Sequence, residues 1–434
     1  MSELAAILAR ELAAPPAGEA PHLAPWADGL RERARQDFSR NGLPSTRVEA
    51  WKYTSLRGLE RTIGALGALP AETGPEAPPP LVDGPRLVVH NGQLAAVQGE
   101  VPTGVTITDL RTALADDREG LREMLESLPT DQPADGFVAL NSADLGPGVL
   151  VHVAAGTDAG RLLLQWCSGP SAAGRLCNSR VCVRLEPGAR LELIEQFEGE
   201  GAAEHCLNAV TQVHLGEQAE LAHACFQQWP RGSALIALRE IRQAAASRYH
   251  YTGLDAGASL VRHDVRTTLA GPGAGCRLDV ACLGMARAHA DNHLQVTHEA
   301  GDCASVQTFR GVLAGRARAV FNGRVLVQPG ADGTDASQSS AGLLLSPHAE
   351  IDAKPELEIH ADEVTASHGA TVGQLDEDAI FYLRSRGLDV EAARQLLTMA
   401  FCRPVTDAMR PGPLREALSA RLDAALQALG SPHG

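Results

Sequence analysis

Aromatic residues and positive charge are both scarce in this sequence of 434 residues. Only 4% of the residues are Phe, Trp or Tyr although 44% are hydrophobic, so a folded core must be filled mainly by Val, Leu, Ile and Ala. The formal net charge is −15, and an acidic chain lacks the basic surface that nucleic acids and anionic membranes require. We therefore expect neither a nucleic acid nor a membrane as a partner.

The nine cysteines follow no disulfide pattern. Their number is odd and no C-x-x-C pair occurs, whereas disulfide frameworks are typical of small secreted chains. The first residues lack the basic segment of a signal peptide, and the sequence has no run of about 18 uncharged apolar residues that would predict a membrane span. We expect buried, reduced thiols and a cytoplasmic location.

Motifs of several enzyme classes are also missing. The sequence contains no G-x-x-x-x-G-K-[ST] loop for ATP, no G-x-S-x-G elbow and no ferredoxin-like run of cysteines. His289 and His293 have the spacing of metal ligands on a helix, but their segment alternates like a strand, which favours a solvent-facing pair of histidines. We predict that the chain is not an enzyme.

The patterns that are present divide the chain into three regions. Residues 1–150 show helical spacing of apolar residues with a Pro-rich linker at 69–86, and residues 376–434 return to helical spacing. A leucine-rich stripe at 414–429 indicates a helix whose apolar face packs in the domain core or, alternatively, docks a partner. Residues 151–375 alternate apolar and polar positions, which predicts strands.

A loose repeat runs through this β region. Its unit is a strand, a turn containing Gly or Pro, a small residue and another strand, and it is clearest at residues 183–193, 213–221, 312–320 and 344–351. One such unit cannot bury its apolar face alone, but stacked units bury it jointly. The repeat favours a β-solenoid, with an ordinary antiparallel sandwich as the alternative.

Six short segments carry a resemblance to a known family. They are residues 51–54 (WKYT), 321–327 (FNGRVLV), 334–338 (TDASQ), 354–359 (KPELEI), 367–373 (SHGATVG) and 381–387 (FYLRSRG). Together they resemble the SufB/SufD family of iron–sulfur cluster assembly proteins. The resemblance implies a mainly β fold, with a right-handed parallel β-helix core and α-helical N-terminal and C-terminal regions.

Within that family the sequence is more similar to SufD members than to SufB members. Residues 338–345 lack the cysteine that SufB members carry there, and the LRSR stretch after Tyr382 is SufD-like. The resemblance implies a complex with SufB and two copies of the ATPase SufC, in which the core pairs with SufB and the C-terminal helices dock SufC. The residues expected to contact partners are Phe381, Tyr382, Arg384, Arg386, Leu396 and Phe401.

The resemblance assigns the main site to His368, which matches a histidine expected to face SufB where the nascent cluster forms. A neutral imidazole is a good iron ligand, and the following Gly369 is typical of an exposed turn. His360 and His348 are weaker candidates, and Ala366 replaces a cysteine that many SufD chains carry. The implied cofactor is a transient iron or iron–sulfur cluster at the SufB interface. A hydrogen bond across the interface is the alternative role for His368, and binding of reduced flavin to the complex is left open.

Two other functions remain as alternatives. The chain could be a SufB-like scaffold that holds the cluster itself as a homodimer. It could instead be a β-helix enzyme acting on polysaccharides through an acidic pair such as Asp332 and Asp335. The scarcity of aromatic residues for stacking on sugars opposes the enzyme.

Overall fold

The computed structural model of the chain describes residues 2–14, 23–67, 77–199 and 204–430. Residues 69–76 of the predicted Pro-rich linker lie outside the described residues. The helices that the structure describes are α1 (Glu3–Ala13), α2 (Pro25–Asn41), α3 (Arg57–Thr62), α4 (Leu110–Ala115), α5 (Leu121–Glu126), α6 (Gly136–Ala143), α7 (Glu377–Ser385), α8 (Val390–Asp407) and α9 (Pro413–Gly430). No helix in the described ranges combines the length and the hydropathy of a membrane span.

The strands occupy most of the middle of the chain. They are β1 (Ala65–Gly67), β2 (Arg86–His90), β3 (Gln93–Gln98), β4 (Val105–Asp109), β5 (Gly148–Val153), β6 (Asp158–Cys167), β7 (Arg175–Leu185), β8 (Arg190–Glu198), β9 (Cys206–Leu215), β10 (Glu220–Gln228), β11 (Ala234–Gln243), β12 (Arg248–Asp255), β13 (Leu260–Leu269), β14 (Gly275–Gly284), β15 (His289–His298), β16 (Ala304–Leu313), β17 (Arg318–Val327), β18 (Thr334–Leu344), β19 (Glu350–Ile359) and β20 (Val364–Gly373).

Successive strands alternate between two ten-stranded sheets. The first sheet has the order β19-β17-β15-β13-β11-β9-β7-β5-β4 with β1 beside β7, and the second has the order β20-β18-β16-β14-β12-β10-β8-β6-β2-β3. Only the pairs β2–β3 and β4–β5 are antiparallel among the described strands. The molecule is therefore a mainly β parallel solenoid of about seven turns. This confirms the solenoid and shows that the antiparallel sandwich was wrong.

The turns of the solenoid explain the repeat seen in the sequence. Gly188 adopts a φ of 70°, a left-handed conformation that glycine reaches at little cost. The next residue, Ala189, is fully buried in the corner, where a larger side chain would displace the neighbouring turn. A solenoid corner therefore requires a residue that can adopt the left-handed conformation, followed by a residue with a small side chain.

The terminal regions pack on the outer faces of the two sheets. Helices α1, α2 and α6 form buried clusters with the first sheet, while strands β2, β3 and β4 of the N-terminal region extend both sheets. Helices α8 and α9 cover the second sheet, and the leucine stripe of α9 lies in that cluster: Leu414, Leu418, Leu422, Leu426 and Leu429. Of the two roles considered for the stripe, the structure supports packing against its own chain.

The N-terminal WKYT segment clamps the outer face of the first sheet. Trp51 is buried, stacks on Phe137 with 5.4 Å between the ring centroids, and lies 4.0 Å from the guanidinium carbon of Arg262. The Thr54 hydroxyl donates to Asp291 at 2.5 Å and lies 2.8 Å from Nε2 of His289.

The same clamp corrects the interpretation of the two spaced histidines. His289 and His293 do lie on a strand, β15, as the alternation predicted. They are half-buried, however: Thr54 of the N-terminal segment contacts Nε2 of His289, and Arg262 lies 3.1 Å from Nε2 of His293. Nε2 of His293 lies 2.9 Å from the buried carboxylate of Asp291, which also pairs with Arg262. Both histidines therefore belong to a structural polar cluster.

Candidate functional site

The solenoid ends at β19 and β20 without a covering element in the described part of the chain. β19 pairs only with β17, and β20 only with β18, so each strand has one hydrogen-bonding edge without a neighbour. In both strands, every second residue is in register with a buried residue of the preceding turn. The side chains of these residues therefore lie over the open end of the hydrophobic core. They form what we call the end face: Ile351, Ala353, Pro355, Leu357, Ile359, Val364, Ala366, His368, Ala370 and Val372.

The end face is apolar except for one side chain. Its ten members are half-buried or exposed, whereas the residues directly beneath them in β17 and β18 are buried. Val372 and Ile359 are 47% and 39% exposed and belong to a contiguous apolar surface, which is a more informative feature than one exposed side chain. His368 is thus the only titratable group on an open cross-section of the hydrophobic core.

His368 stands at the end of a polar column inside the solenoid. It is in register with Gln338, which is in register with Gln307, and the amide of Gln338 donates to Gln307 at 3.1 Å. Both glutamines are buried, and the imidazole above them is exposed. The prediction of exposure is confirmed, but the prediction of a turn is wrong, because His368 lies in the middle of β20.

The two weaker histidine candidates lie elsewhere on the last turn. His348 is exposed in the connection between β18 and β19, and His360 is exposed immediately after β19. Nε2 of His360 lies 3.1 Å from a carboxylate oxygen of Glu358. Across residues 2–14, 23–67, 77–199 and 204–430, no three His, Cys, Asp or Glu side chains are grouped as metal ligands. The structure does not bring the three histidines together.

The cysteines lie away from the end face. All nine are buried and free, as predicted. Burial raises the pKa of the Cys225 thiol to about 12, so the reactive thiolate is disfavoured at neutral pH. Ala366, at the position of the cysteine expected from the family, is a neighbour of His368 on the end face.

A second exposed apolar patch lies on the C-terminal helices. Phe381 and Tyr382 of α7 are 72% and 57% exposed, and Leu396 of α8 is 46% exposed. Arg384 is exposed on the same helix, and the guanidinium of Arg386 lies 5.3 Å from the Tyr382 ring. Five of the predicted partner contacts are therefore accessible on α7, on α8 or just after α7.

The sixth predicted contact, Phe401, has different surroundings. It is half-buried against the cluster that joins α8 and α9 to the second sheet, and the guanidinium carbon of Arg310 lies 6.0 Å from its ring. Its side chain therefore contributes mainly to packing within the chain.

A buried ionic network inside the solenoid was missed by the sequence analysis. Glu195 pairs with Arg239 and lies 3.3 Å from Nε2 of His223, and all three side chains are almost fully buried. Arg239 also contacts Nδ1 of His263 at 2.9 Å, and His263 contacts Asp255 at 2.7 Å. The signal was available, because the strand alternation places each of these residues on the inward side.

The acidic pair of the enzyme alternative lies at a turn. A carboxylate oxygen of Asp332 accepts a hydrogen bond from the backbone N–H of Glu363 at 3.3 Å, and Asp335 is exposed at the start of β18. Asp332 therefore has a structural partner.

Comparison with known proteins identifies the family of the chain. Residues 169–401 match the family described as SUF system FeS cluster assembly, SufBD core domain. The chain is 29% identical over 393 residues to the iron–sulfur cluster assembly protein SufD of Escherichia coli, covering 89% of this chain and 90% of the relative.

Two further relatives give the same result. A SufBD family protein of Synechocystis is 30% identical over 406 residues, covering 87% of each chain. The SufD protein of Bacillus subtilis is 41% identical over 97 residues, which is 22% of each chain. The chain belongs to the SufBD family of iron–sulfur cluster assembly proteins and is SufD-like within it.

Proposed function

We propose that this chain is a non-catalytic subunit of a cytoplasmic scaffold that assembles iron–sulfur clusters, pairing with SufB and docking the ATPase SufC. The observation that carries the proposal is the end face: ten side chains on an open solenoid end, nine of them apolar and the tenth His368.

The physical argument begins with the two free strand edges. An unprotected edge presents unpaired backbone N–H and C=O groups, and an exposed apolar face costs free energy in water. A second solenoid placed end to end relieves both costs, because its strands extend the sheets and its core covers the end face. SufB is the partner that family membership makes most plausible, since both proteins share the SufBD core domain.

Pairing would change the surroundings of His368. Beneath it lie the buried amides of Gln338 and Gln307, and around it lie apolar side chains such as Ala366 and Ala370. A partner would exclude water from the imidazole and enclose its ring nitrogens at the interface, where they would be available to a metal ion. We propose that His368 supplies one ligand to the nascent cluster and that SufB supplies the thiolates.

The exposed patch on α7 and α8 is the proposed docking surface for SufC. Phe381, Tyr382 and Leu396 expose apolar area that the folded chain leaves uncovered. The adjoining helix α9 is packed firmly on the second sheet, so movement of a docked ATPase would be transmitted to the solenoid. With both surfaces on one chain, ATP-driven motion at the C-terminal helices would reach the SufB interface through this packing.

The first experiment tests the pairing surface. The substitution Ala370→Glu places a charge on the end face, and Thr365→Glu places the same charge on the opposite face of β20. We expect Ala370→Glu to abolish co-purification of SufB while Thr365→Glu retains it. Retention of SufB by both variants would show that the end face is not the interface.

The second experiment tests the imidazole in the assembled complex. His368→Ala should leave assembly intact and lower the yield of cluster formed under anaerobic conditions, whereas His348→Ala should not. An unchanged cluster yield with intact assembly would remove His368 from cluster formation. Formation of a stable cluster on the isolated chain would instead favour the SufB-like homodimeric scaffold.

A further inference from the structure

A groove of about 740 Å³ lies at the corner where the chain passes from the second sheet to the first. It is formed by the connections that precede β11, β13, β15 and β17. Its floor consists of residues with little or no side chain: Ala256, Gly257, Ala258, Ala286 and Gly315. A Cβ atom on Gly257 would come within 2.5 Å of the backbone oxygen of Trp229, so the packing of the turns leaves no room for a side chain at this position.

Three arginines rise around this floor. Arg231 belongs to the connection before β11, and Arg287 and Arg316 occupy the same position in two successive turns, two residues before β15 and β17 respectively. All three are exposed. Within the ranges that the structure describes, none of them has a carboxylate within ion-pair distance, and the groove lining contains no acidic residue.

The three arginines concentrate positive charge at one corner of a chain whose net charge is −15. Successive turns of a solenoid are about 4.8 Å apart, so the bases of the Arg287 and Arg316 side chains are close and their charges repel. Several other surface arginines pair with carboxylates, as Arg190 does with Glu220 and Arg318 with Asp352. Unpaired like charges in register are stabilised most simply by an anion that binds between them.

The walls of the groove add an apolar component. Leu283 and Met285 line it and also belong to the hydrophobic cluster beneath α8 and α9. The Arg231 guanidinium reaches Met285, with Nη2 at 3.2 Å from Sδ. A volume of this size falls in the usual range of about 300–1,000 Å³ for small-molecule sites, which combine an apolar lining with a few placed polar groups.

We propose that this corner groove binds a small organic anion with an apolar body and a phosphate group. The guanidinium groups of Arg287 and Arg316 would hold the phosphate oxygens, and Leu283 and Met285 would contact the apolar part. The inference is independent of the proposed pairing and docking surfaces.

A small molecule fits the groove better than an extended peptide does. Backbone groups on the floor are already hydrogen-bonded within the solenoid: the N–H of Ala258 donates to Trp229 at 2.7 Å, and that of Arg316 donates to Ala286 at 2.7 Å. No free strand edge is therefore available at this corner for pairing with a peptide backbone.

The test is isothermal titration of the full chain at low ionic strength with 1-naphthyl phosphate as the probe. Inorganic phosphate and 1-naphthol serve as ligands that carry only the anion or only the apolar body. We expect 1-naphthyl phosphate to bind more tightly than either. The double variant Arg287→Ser/Arg316→Ser should weaken its binding by roughly tenfold or more, as expected for loss of charged hydrogen bonds.

Two controls separate specific binding from general electrostatics. Arg47→Ser removes one exposed arginine outside the groove and should leave the affinity unchanged. Arg287→Lys/Arg316→Lys keeps the charge and should retain part of the binding. Equal affinity of the wild-type chain and the serine double variant, or equal affinity for 1-naphthol and 1-naphthyl phosphate, would overturn the proposal.

Discussion

Inside the solenoid, where most side chains are aliphatic, the carboxylate of Glu195 pairs with the guanidinium of Arg239. Burial alone would raise the pKa of Glu195, but Arg239 and His223 more than offset this effect and lower the pKa to about 2. The carboxylate is therefore more acidic in the folded chain than in the unfolded chain. Its contribution to stability is present above the unfolded pKa of about 4.5 and is lost as the pH falls towards 2.

This linkage gives the first prediction. Glu195→Gln should lower the free energy of unfolding at pH 7 by about 3–5 kcal/mol, because it leaves the buried charge of Arg239 uncompensated. As the pH is lowered below 4.5, the stability of the variant should also fall less than the stability of the wild-type chain. Urea denaturation followed by circular dichroism at several pH values measures both effects.

A matched control lies on the same strand. Glu192 faces outwards in β8 and pairs with Arg161 at 2.5 Å in a partly exposed position. Glu192→Gln should therefore cost only about 0–1 kcal/mol. Equal destabilisation by the two substitutions would show that the interior pair has no special energetic role.

At the scale of the elements, the short WKYT segment connects the N-terminal helices to the middle turns of the solenoid. Trp51 is 4% exposed and stacks on Phe137 of α6, and Thr54 donates to Asp291 of β15. The segment also reaches the last turn, because Glu49, just before it, pairs with Lys354 of β19 at 3.0 Å. The segment therefore ties the N-terminal region to two separate parts of the solenoid.

The second prediction follows from that packing. Trp51→Ala should cost about 3–5 kcal/mol, since it removes a buried aromatic side chain and leaves a cavity. Hydrogen exchange in β13 and β15 should accelerate, because the clamp that covers their outer face would loosen. Lys52→Ala, which alters an exposed neighbour, should change stability by no more than about 0.5 kcal/mol. Unchanged exchange in β13 and β15 of the Trp51→Ala variant would contradict the assigned role.

The third prediction concerns the C-terminal helices. The double substitution Phe381→Ser/Leu396→Ser removes two exposed apolar side chains and should leave the fold intact. In a co-purification experiment it should release SufC and retain SufB, because the two proposed surfaces lie on different elements. Loss of both partners together would mean that the patch supports the assembly as a whole.

A control for this prediction is available on α8. Arg403→Ser alters an exposed residue of the same helix, paired with Asp423 at 3.5 Å, outside the apolar patch. It should retain both partners. Release of SufC by this variant would show that α8 as a whole, and not its apolar patch, governs docking.

At the scale of the whole molecule, the sequence predicted the kind of fold but not its long-range pairing. The alternation of apolar residues and the turn at Gly188 indicated stacked strands, because both features depend only on residues that are close together in the sequence. The contact between Thr54 and Asp291 joins residues 237 positions apart, and no local pattern indicates it. The pairing of Glu195 with Arg239 likewise depends on which turns of the solenoid become neighbours.

The candidate site, too, could be predicted from the sequence only in part. Family resemblance assigned His368, but only the strand register shows that it stands above Gln338 on an apolar end face. The resemblance also suggested a turn at Gly369, whereas the structure places this segment in β20. Alternation within a strand shows which residues share a face, whereas only the register with the preceding turn shows which residue each of them lies above.

The central claim is that the end face is covered by SufB in the assembled scaffold. The most direct measurement is hydrogen–deuterium exchange of β20 (Val364–Gly373) in the isolated chain and in the co-purified complex. We predict fast exchange of the outer-edge amides in the isolated chain and strong protection in the complex, with His368 at the centre of the protected segment. Equally fast exchange of β20 in both states would contradict the account.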